Sequence, residues 1–172
     1  MSEPRVSAEP LRTGRLDLLP LRVEHAEEMA AVLADPALHR FIGGEPLSPD
    51  ALRARYERLV AGSGDPAVSW CNWVLRLRAG SCLVGTVQAT ITAGGVAEIA
   101  WVIGTPWQRR GLASEAARGL IEWLEQGSVH TVVAHVHPAH HASATVAAAA
   151  GLAPTEEWQD GEVRWRRQRS PR

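Results

Sequence analysis

Glu98-Ile-Ala-Trp-Val-Ile-Gly104, then Thr105-Pro-Trp107, then Gln108-Arg-Arg-Gly-Leu-Ala113 and on to Leu124 is the stretch that decides the fold. Its first part is a near-continuous apolar run, the pattern of a buried strand. After a short turn, Gly111 takes backbone angles closed to other residues and lets a ligand approach the main chain closely. Leu112, Ala116, Leu120 and Leu124, with Ala113, Ala117 and Ile121 beside them, then form one helical stripe, and Glu115, Arg118, Glu122 and Glu125 fall off it. Gln126-Gly127 supplies the stop. The first helical turn has N–H groups with no partner inside the helix, and the positive end of the dipole points the same way, so a phosphate fits there. The stretch reads strand, anion-binding turn, helix. It is neither a Walker loop, since no Gly-Lys-Ser/Thr follows, nor a dinucleotide fingerprint, since Gly-x-Gly-x-x-Gly is missing.

Gln108-Arg109-Arg110-Gly111-Leu112-Ala113 resembles the Gln/Arg-x-x-Gly-x-Gly/Ala signature of the GNAT superfamily of acyl-CoA N-acyltransferases. Glu98-Ile-Ala-Trp101 and Ala113-Ser-Glu-Ala116 resemble the branch that holds the ribosomal-protein N-terminal acetyltransferases of the RimJ/RimL type. The resemblance extends over residues 11–168, nearly the whole chain. It implies an α/β fold with a central mixed sheet, splayed between the fourth and fifth strands, and helices on both faces. It also implies acetyl-CoA as co-substrate and an amine acceptor, either a protein N-terminus or a small molecule. Pantetheine would add its amides to the open strand edge through main-chain groups of Trp101, Val102 and Ile103. The diphosphate would lie against Gln108, Arg109, Arg110, Gly111, Leu112, Ala113 and Ser114, with the two arginines reaching it or the ribose phosphate.

The rest of the chain fits one domain, residues 11–168, between tails at 1–10 and 169–172. Arg15–Leu19 reads as a first strand. Glu24–Ala34 turns Ala26, Met29, Ala30 and Leu33 to one face and ends at Asp35-Pro36, after which Phe41–Pro46 reads as a loop. Ser48-Pro49-Asp50 is a strong helix start, and that helix turns Leu52, Tyr56, Leu59 and Val60 inward. Trp73–Leu77 and Leu83–Ile91 read as a hairpin, with Ala93-Gly94-Gly95 leading into the central strand. Val129–His137 is a buried strand, His141–Ala150 an alanine-rich helix, and two short strands follow at about 153–158 and 162–168 around Asp160-Gly161.

With 45% hydrophobic and 22% charged residues and a net charge of -1, the composition is that of an ordinary globular protein. That balance argues against bulk nucleic acid or an anionic membrane as partner. The first ten residues are polar without an apolar core, and no segment approaches a transmembrane span, so a cytoplasmic protein is expected. Either a monomer or a homodimer is compatible with the sequence. If the hairpin turn is centred near Ala79 and Gly80, Cys71 lies opposite about Gln88 and Cys82 opposite about Leu77, which predicts no disulfide.

Acyl transfer to an amine needs a neutral amine, a carbonyl held beside it, and a proton for the leaving thiolate. Glu98 is the candidate base, set against a plain solvated acid, and the resemblance favours the base. A main-chain N–H at Val102 or Ile103 is the candidate for polarising the thioester. Many relatives supply the thiolate proton from a tyrosine on the helix after the buried strand; here the single tyrosine, Tyr56, is elsewhere. Pro138-Ala-His-His-Ala-Ser143 resembles the family's Pro-x-Asn-x-x-Ser segment, which implies Ser143 near the sulfur as donor and puts His140 where an asparagine contacts pantetheine. His140 then has three readings: cofactor contact, proton donor, or solvent-facing residue. Five histidines lie between His130 and His141, but no cysteine or carboxylate completes them nearby in sequence, so no metal is expected. Trp101, Trp123 and Trp165 read as core; Trp70, Trp73 and Trp107 read as edge residues able to wall an acceptor pocket. An acyl-CoA-binding module without catalysis is the competing class, kept open by the missing tyrosine and by His140.

Overall fold

The structure is a computed structural model that describes residues 5–169. The outermost parts of the two expected tails, residues 1–4 and 170–172, lie outside the described residues. Eight strands form one sheet: β1 (Leu11–Arg12), β2 (Leu16–Pro20), β3 (Ser69–Leu77), β4 (Cys82–Thr92), β5 (Val96–Ile103), β6 (Thr131–Val136), β7 (Ala153–Gln159) and β8 (Glu162–Gln168). Their spatial order is β1-β2-β3-β4-β5-β6-β8-β7, with every pairing antiparallel except β5–β6. Helices are α1 (Ala26–Val32), α2 (His39–Ile42), α3 (Pro49–Ala61), α4 (Leu112–Gln126) and α5 (His141–Ala149). The mixed α/β architecture is the expected one; two-residue β1, too short to show a pattern, shifts the splayed pair to the fifth and sixth strands.

The helices form where their sequences cap them. Ser48 accepts from the Ala51 N–H at 3.1 Å and Pro49 occupies the first position of α3, as its start signal predicts. In α4 the buried residues are Leu112, Ala116, Ala117, Leu120, Ile121 and Leu124, six of the seven in the predicted stripe. One apolar cluster joins α4 and α5 to the sheet; a second, holding Met29, Leu52, Tyr56, Val74 and Leu83, joins α1 and α3 to the opposite face.

Several expectations change on contact with the fold. Val60 is 54% exposed, so α3 turns only Leu52 and Tyr56 fully inward. Phe41 and Ile42 belong to α2 and not to a loop. Residues 5–10 are bonded to the sheet: the Val6 N–H donates to Ser69 Oγ at 3.0 Å, and the Glu9 carbonyl accepts from Trp73 Nε1 at 2.7 Å. Trp73 is therefore fully buried core and meets Trp123 edge to face at 5.3 Å.

The β3–β4 register slips at Val84: Leu75 faces Gly85 while Arg76 faces Leu83, so β4 carries one extra residue. Cys71 consequently lies opposite Ala89, one residue from the predicted partner, and Cys82 faces Leu77. Both thiols are free, and burial pushes that of Cys71 up to about 11, an inert value. Gly85 sits beside this bulge because a Cβ there would run into the Val102 carbonyl.

The feature that positions the site is where the β5–β6 ladder ends. Val96, Ala97 and Glu98 pair with Thr131, Val132 and Val133, and pairing stops there. The remaining five residues of β5 and three of β6 diverge, leaving a wedge between them.

Candidate active site

Ladder alternation decides which main-chain groups of β5 face the wedge. Gly104 N–H donates to the Val84 carbonyl at 2.8 Å, while the Gly95 carbonyl accepts from Thr131 N–H at 3.2 Å. The β4–β5 register is unbroken between these ends, so the even residues turn their main chain to β4 and the odd ones to β6. Beyond Glu98 the odd groups, at Trp101 and Ile103, therefore face the wedge. Val102 is committed to Thr86 on β4, which corrects the expectation that its N–H faces the co-substrate. The Ile103 carbonyl is taken by the Gln108 side chain at 3.0 Å, so Gln108 acts here as a brace for the end of β5.

After β5 the chain makes a single 3₁₀ turn, Thr105–Trp107, and enters α4 through Arg109 (φ 64°) and Gly111 (φ 77°), both left-handed. The alternation of such angles turns successive N–H groups into one concavity, and the Leu112, Ala113 and Ser114 donors of the first turn lie beyond it. Arg109 and Arg110 are exposed, free to meet an anion. The loop is held from behind: Arg15 Nη1 donates to the Arg110 carbonyl at 2.8 Å, and Arg15 Nε meets Glu115 at 2.9 Å. Glu115 also accepts from Thr13 Oγ1 at 2.5 Å. Although burial alone would raise its pKa, the Thr13 and Arg15 bonds hold the carboxyl below the usual range. In sequence Glu115 is only a residue off the apolar stripe of α4; its partners lie about a hundred residues away.

A cavity of about 510 Å³ opens on the α1/α3 side of the sheet and runs into the wedge. Glu98, Trp101, Val102, His140 and Ser143 all line it; Ile103, the last residue of β5, and residues 108–114 beyond it do not. Glu98 is not alone. Its Oε1 lies 2.8 Å from Nδ1 of His135, whose side chain is 8% exposed against 49% for Glu98. The carboxylate missing from the histidine cluster in sequence thus arrives in space from β5. Among the described residues no group of three or more His, Cys, Asp or Glu is placed to hold a metal.

At the other wall His140 caps α5. Its Nδ1 accepts from the Ser143 N–H at 3.3 Å, and its Nε2 lies 3.1 Å from Ser143 Oγ. A ring that accepts at Nδ1 carries its proton on Nε2, so it donates to Oγ and leaves the Ser143 hydroxyl proton free to point elsewhere. Burial, then repulsion from His137 and His141, hold the His140 pKa below the ordinary imidazole value, which keeps this neutral tautomer in place at neutral pH. Phe41 of α2 stacks on the ring, centroids 4.2 Å apart, so His140 does not face solvent freely.

On the acceptor side, Leu33, Leu52 and Leu59 supply apolar lining, and Asn72, Gln88 and Glu98 are polar groups of the sheet. Tyr56 Oη is buried with no hydrogen-bond partner among the described residues, and burial pushes its pKa up to about 12. Tyr56→Phe removes an unpaired polar group, so unfolding in denaturant should show stability unchanged or raised by about 1 kcal/mol. The same variant should show a higher KM for an acceptor that bonds this hydroxyl, with acetyl-CoA binding intact.

The acetyltransferase (GNAT) domain family matches residues 15–153. The chain belongs to the GNAT acetyltransferase family. Comparison of the sequence with curated proteins gives no match. Among solved structures, the RimL ribosomal L7/L12 α-N-protein acetyltransferase in complex with coenzyme A superposes with a TM-score of 0.80. It is 16% identical, over 94% of this chain and 98% of that one. A GNAT-family acetyltransferase from Bacillus anthracis gives 0.76 at 18% identity over 93% and 98%. AAC(6')-Ib in complex with paromomycin and acetyl-CoA gives 0.76 at 16% over 90% and 94%. At these identities the likeness is one of fold.

As a GNAT member the protein is an acetyl-CoA-dependent acyltransferase. The residues present fit the co-substrate: an unpaired β5 edge matches the amides of pantetheine, and the left-handed turn into α4 matches a diphosphate. No helix among the described residues is long and apolar enough to cross a membrane.

Proposed function

We propose that this GNAT enzyme transfers the acetyl group of acetyl-CoA to a primary amine by direct attack within a ternary complex. The observation that carries the proposal is the convergence on one cavity of an open strand edge, a carboxylate (Glu98) and a hydroxyl with a free proton (Ser143). On this reading the Trp101 and Ile103 main chain binds pantetheine and polarises the thioester. The phosphates lie on Gly111, Leu112, Ala113 and Ser114, with Arg109 and Arg110 over them. Glu98 takes one proton from the incoming ammonium, directly or through water, and the freed lone pair forms the C–N bond as C–S breaks. Ser143 hands its proton to the leaving sulfur and recovers one from the second N–H of the amine. Ser143 thus does the work of the tyrosine used by many relatives, and His140 orients it.

The acceptor cavity carries Glu45, Glu98 and Glu162 against one arginine, Arg55, which favours a cationic amine. RimL is named for a protein N-terminus and AAC(6')-Ib is seen with paromomycin, so both structural relatives meet amines. We read this chain as RimJ/RimL-like, with a protein N-terminus or a small amine as acceptor, acting in the cytoplasm where acetyl-CoA is available. The test is a panel of free-amine peptides, polyamines, amino-acid amides and aminoglycosides, with acetyl-CoA, followed by thiol release and product mass. At least one amine should release free thiol in step with an acetylated product. Tight acetyl-CoA binding with no thiol release across the panel would sink the transfer reading and leave a binding module.

A further inference from the structure

We propose that His135 is a positioning residue for acetyl transfer: it donates its Nδ1 proton to one carboxylate oxygen of Glu98 and so turns the other towards the acceptor cavity. The inference rests on the reading of Glu98 as proton acceptor, and it follows from the fork in the sheet. Glu98 pairs with Val133 on the last parallel rung, and His135 stands two residues further along β6, on the same face. The 2.8 Å bond therefore runs diagonally across the two strands at the point where they part. A half-exposed glutamate by itself samples several rotamers; tied to a ring that is 8% exposed, it is held in one.

An ionised carboxylate only accepts, so the Nδ1 atom carries the proton. Nε2 is buried and has no partner among the described residues. Arg164 lies directly opposite His135 in the β6–β8 register; its Nε makes no hydrogen bond among the described residues and meets Glu157 Oε2 as an ion pair at 3.8 Å. The charged or titratable groups around the ring are thus Glu98 from β5, Arg164 from β8 with its ion-pair partner Glu157 from β7, Glu162 at the same cavity, and His137 just past the end of β6. Nε2 faces no acceptor among the described residues to which the ring could relay a proton, so the contact this ring makes with the reaction is the Nδ1–H bond to Glu98. A buried ring nitrogen with no partner is a standing cost that an apolar residue would avoid. The Nδ1–H bond to Glu98 gives that cost a function.

The test compares the parent with His135→Leu, His135→Asn and Glu98→Gln in full-length protein, measuring acetyl-CoA binding, kcat and KM for an acceptor found in the amine panel, and the pH profile. His135→Leu should lower kcat roughly ten- to a hundredfold, the size of loss seen when the outer partner that orients a ligand in a metal site is removed. Acetyl-CoA binding should hold within about twofold, which also reports that the variant has folded. His135→Asn places an amide N–H where Nδ1 was, and should restore most of the rate with the acid limb of kcat/KM unmoved. Parent-like turnover in His135→Leu overturns the proposal. So does a His135→Asn variant as slow as His135→Leu that has lost the acid limb, because the imidazole would then be the base. Parent-like turnover in Glu98→Gln overturns the base assignment and this positioning role together, while leaving acetyl transfer itself intact.

Discussion

Gly111→Val should lose roughly ten- to a hundredfold in acetyl-CoA affinity, measured by calorimetry, while the protein remains folded. Gly111 has φ 77° at the N-cap of α4, and a β-branched residue held there is strained by about 1–3 kcal/mol. The strain is relieved by rotating the peptide planes on either side, which turns the first-turn N–H groups away from a bound phosphate; each 1.4 kcal/mol of lost interaction is about tenfold in affinity. The helix itself should persist, because six buried side chains from Leu112 to Leu124 hold it to the sheet and Arg15 braces the loop through the Arg110 carbonyl. Gly111→Asn provides the control, since asparagine enters the left-handed region more readily than other residues and should retain most of the affinity. Parent-like affinity in the valine variant would mean that the phosphates do not sit at this turn.

Glu98→Gln addresses the other end of the reaction. The amide keeps the size of the side chain and can still accept the proton on His135 Nδ1, so the clasp at the fork survives, but it takes no proton from an ammonium. Turnover should fall by about 10²–10⁴, the usual contribution of a positioned base, with acetyl-CoA affinity unchanged. The residual rate should rise with pH as more acceptor amine becomes neutral in solution. Equal losses in turnover and in acetyl-CoA affinity would instead make Glu98 a structural or binding residue.

Local patterns made most of the architecture legible. The stripe from Leu112 to Leu124, the Ser48-Pro49 helix start and the run around Glu98 each depend on neighbours within a few turns, and each has its expected form. Of the candidate site residues, Glu98, Trp101, Val102, His140 and Ser143 come together at one cavity, but their partners could not be read from the sequence. Glu98 and His135 are 37 positions apart, and Arg15 and Glu115 a hundred; only the strand order brings them together. In sequence Val102 is as good a donor as Ile103, because periodicity does not say which edge of a strand its odd residues face. That depends on the partner strand, here fixed by the Gly104–Val84 bond. The one-residue displacement of Cys71 has the same origin: the extra residue at Val84 leaves no trace in hydrophobicity.

Three parallel rungs join two panels of unequal width, β1 to β5 on one side and β6, β8 and β7 on the other. Over the rest of the seam the backbone lacks the strand that would knit the panels together, and the extended arm of the thioester donor has the length and the amides to serve as one. On the proposed reading the small molecule becomes a temporary member of the sheet as well as its reactant, and departure of the spent thiol reopens the seam.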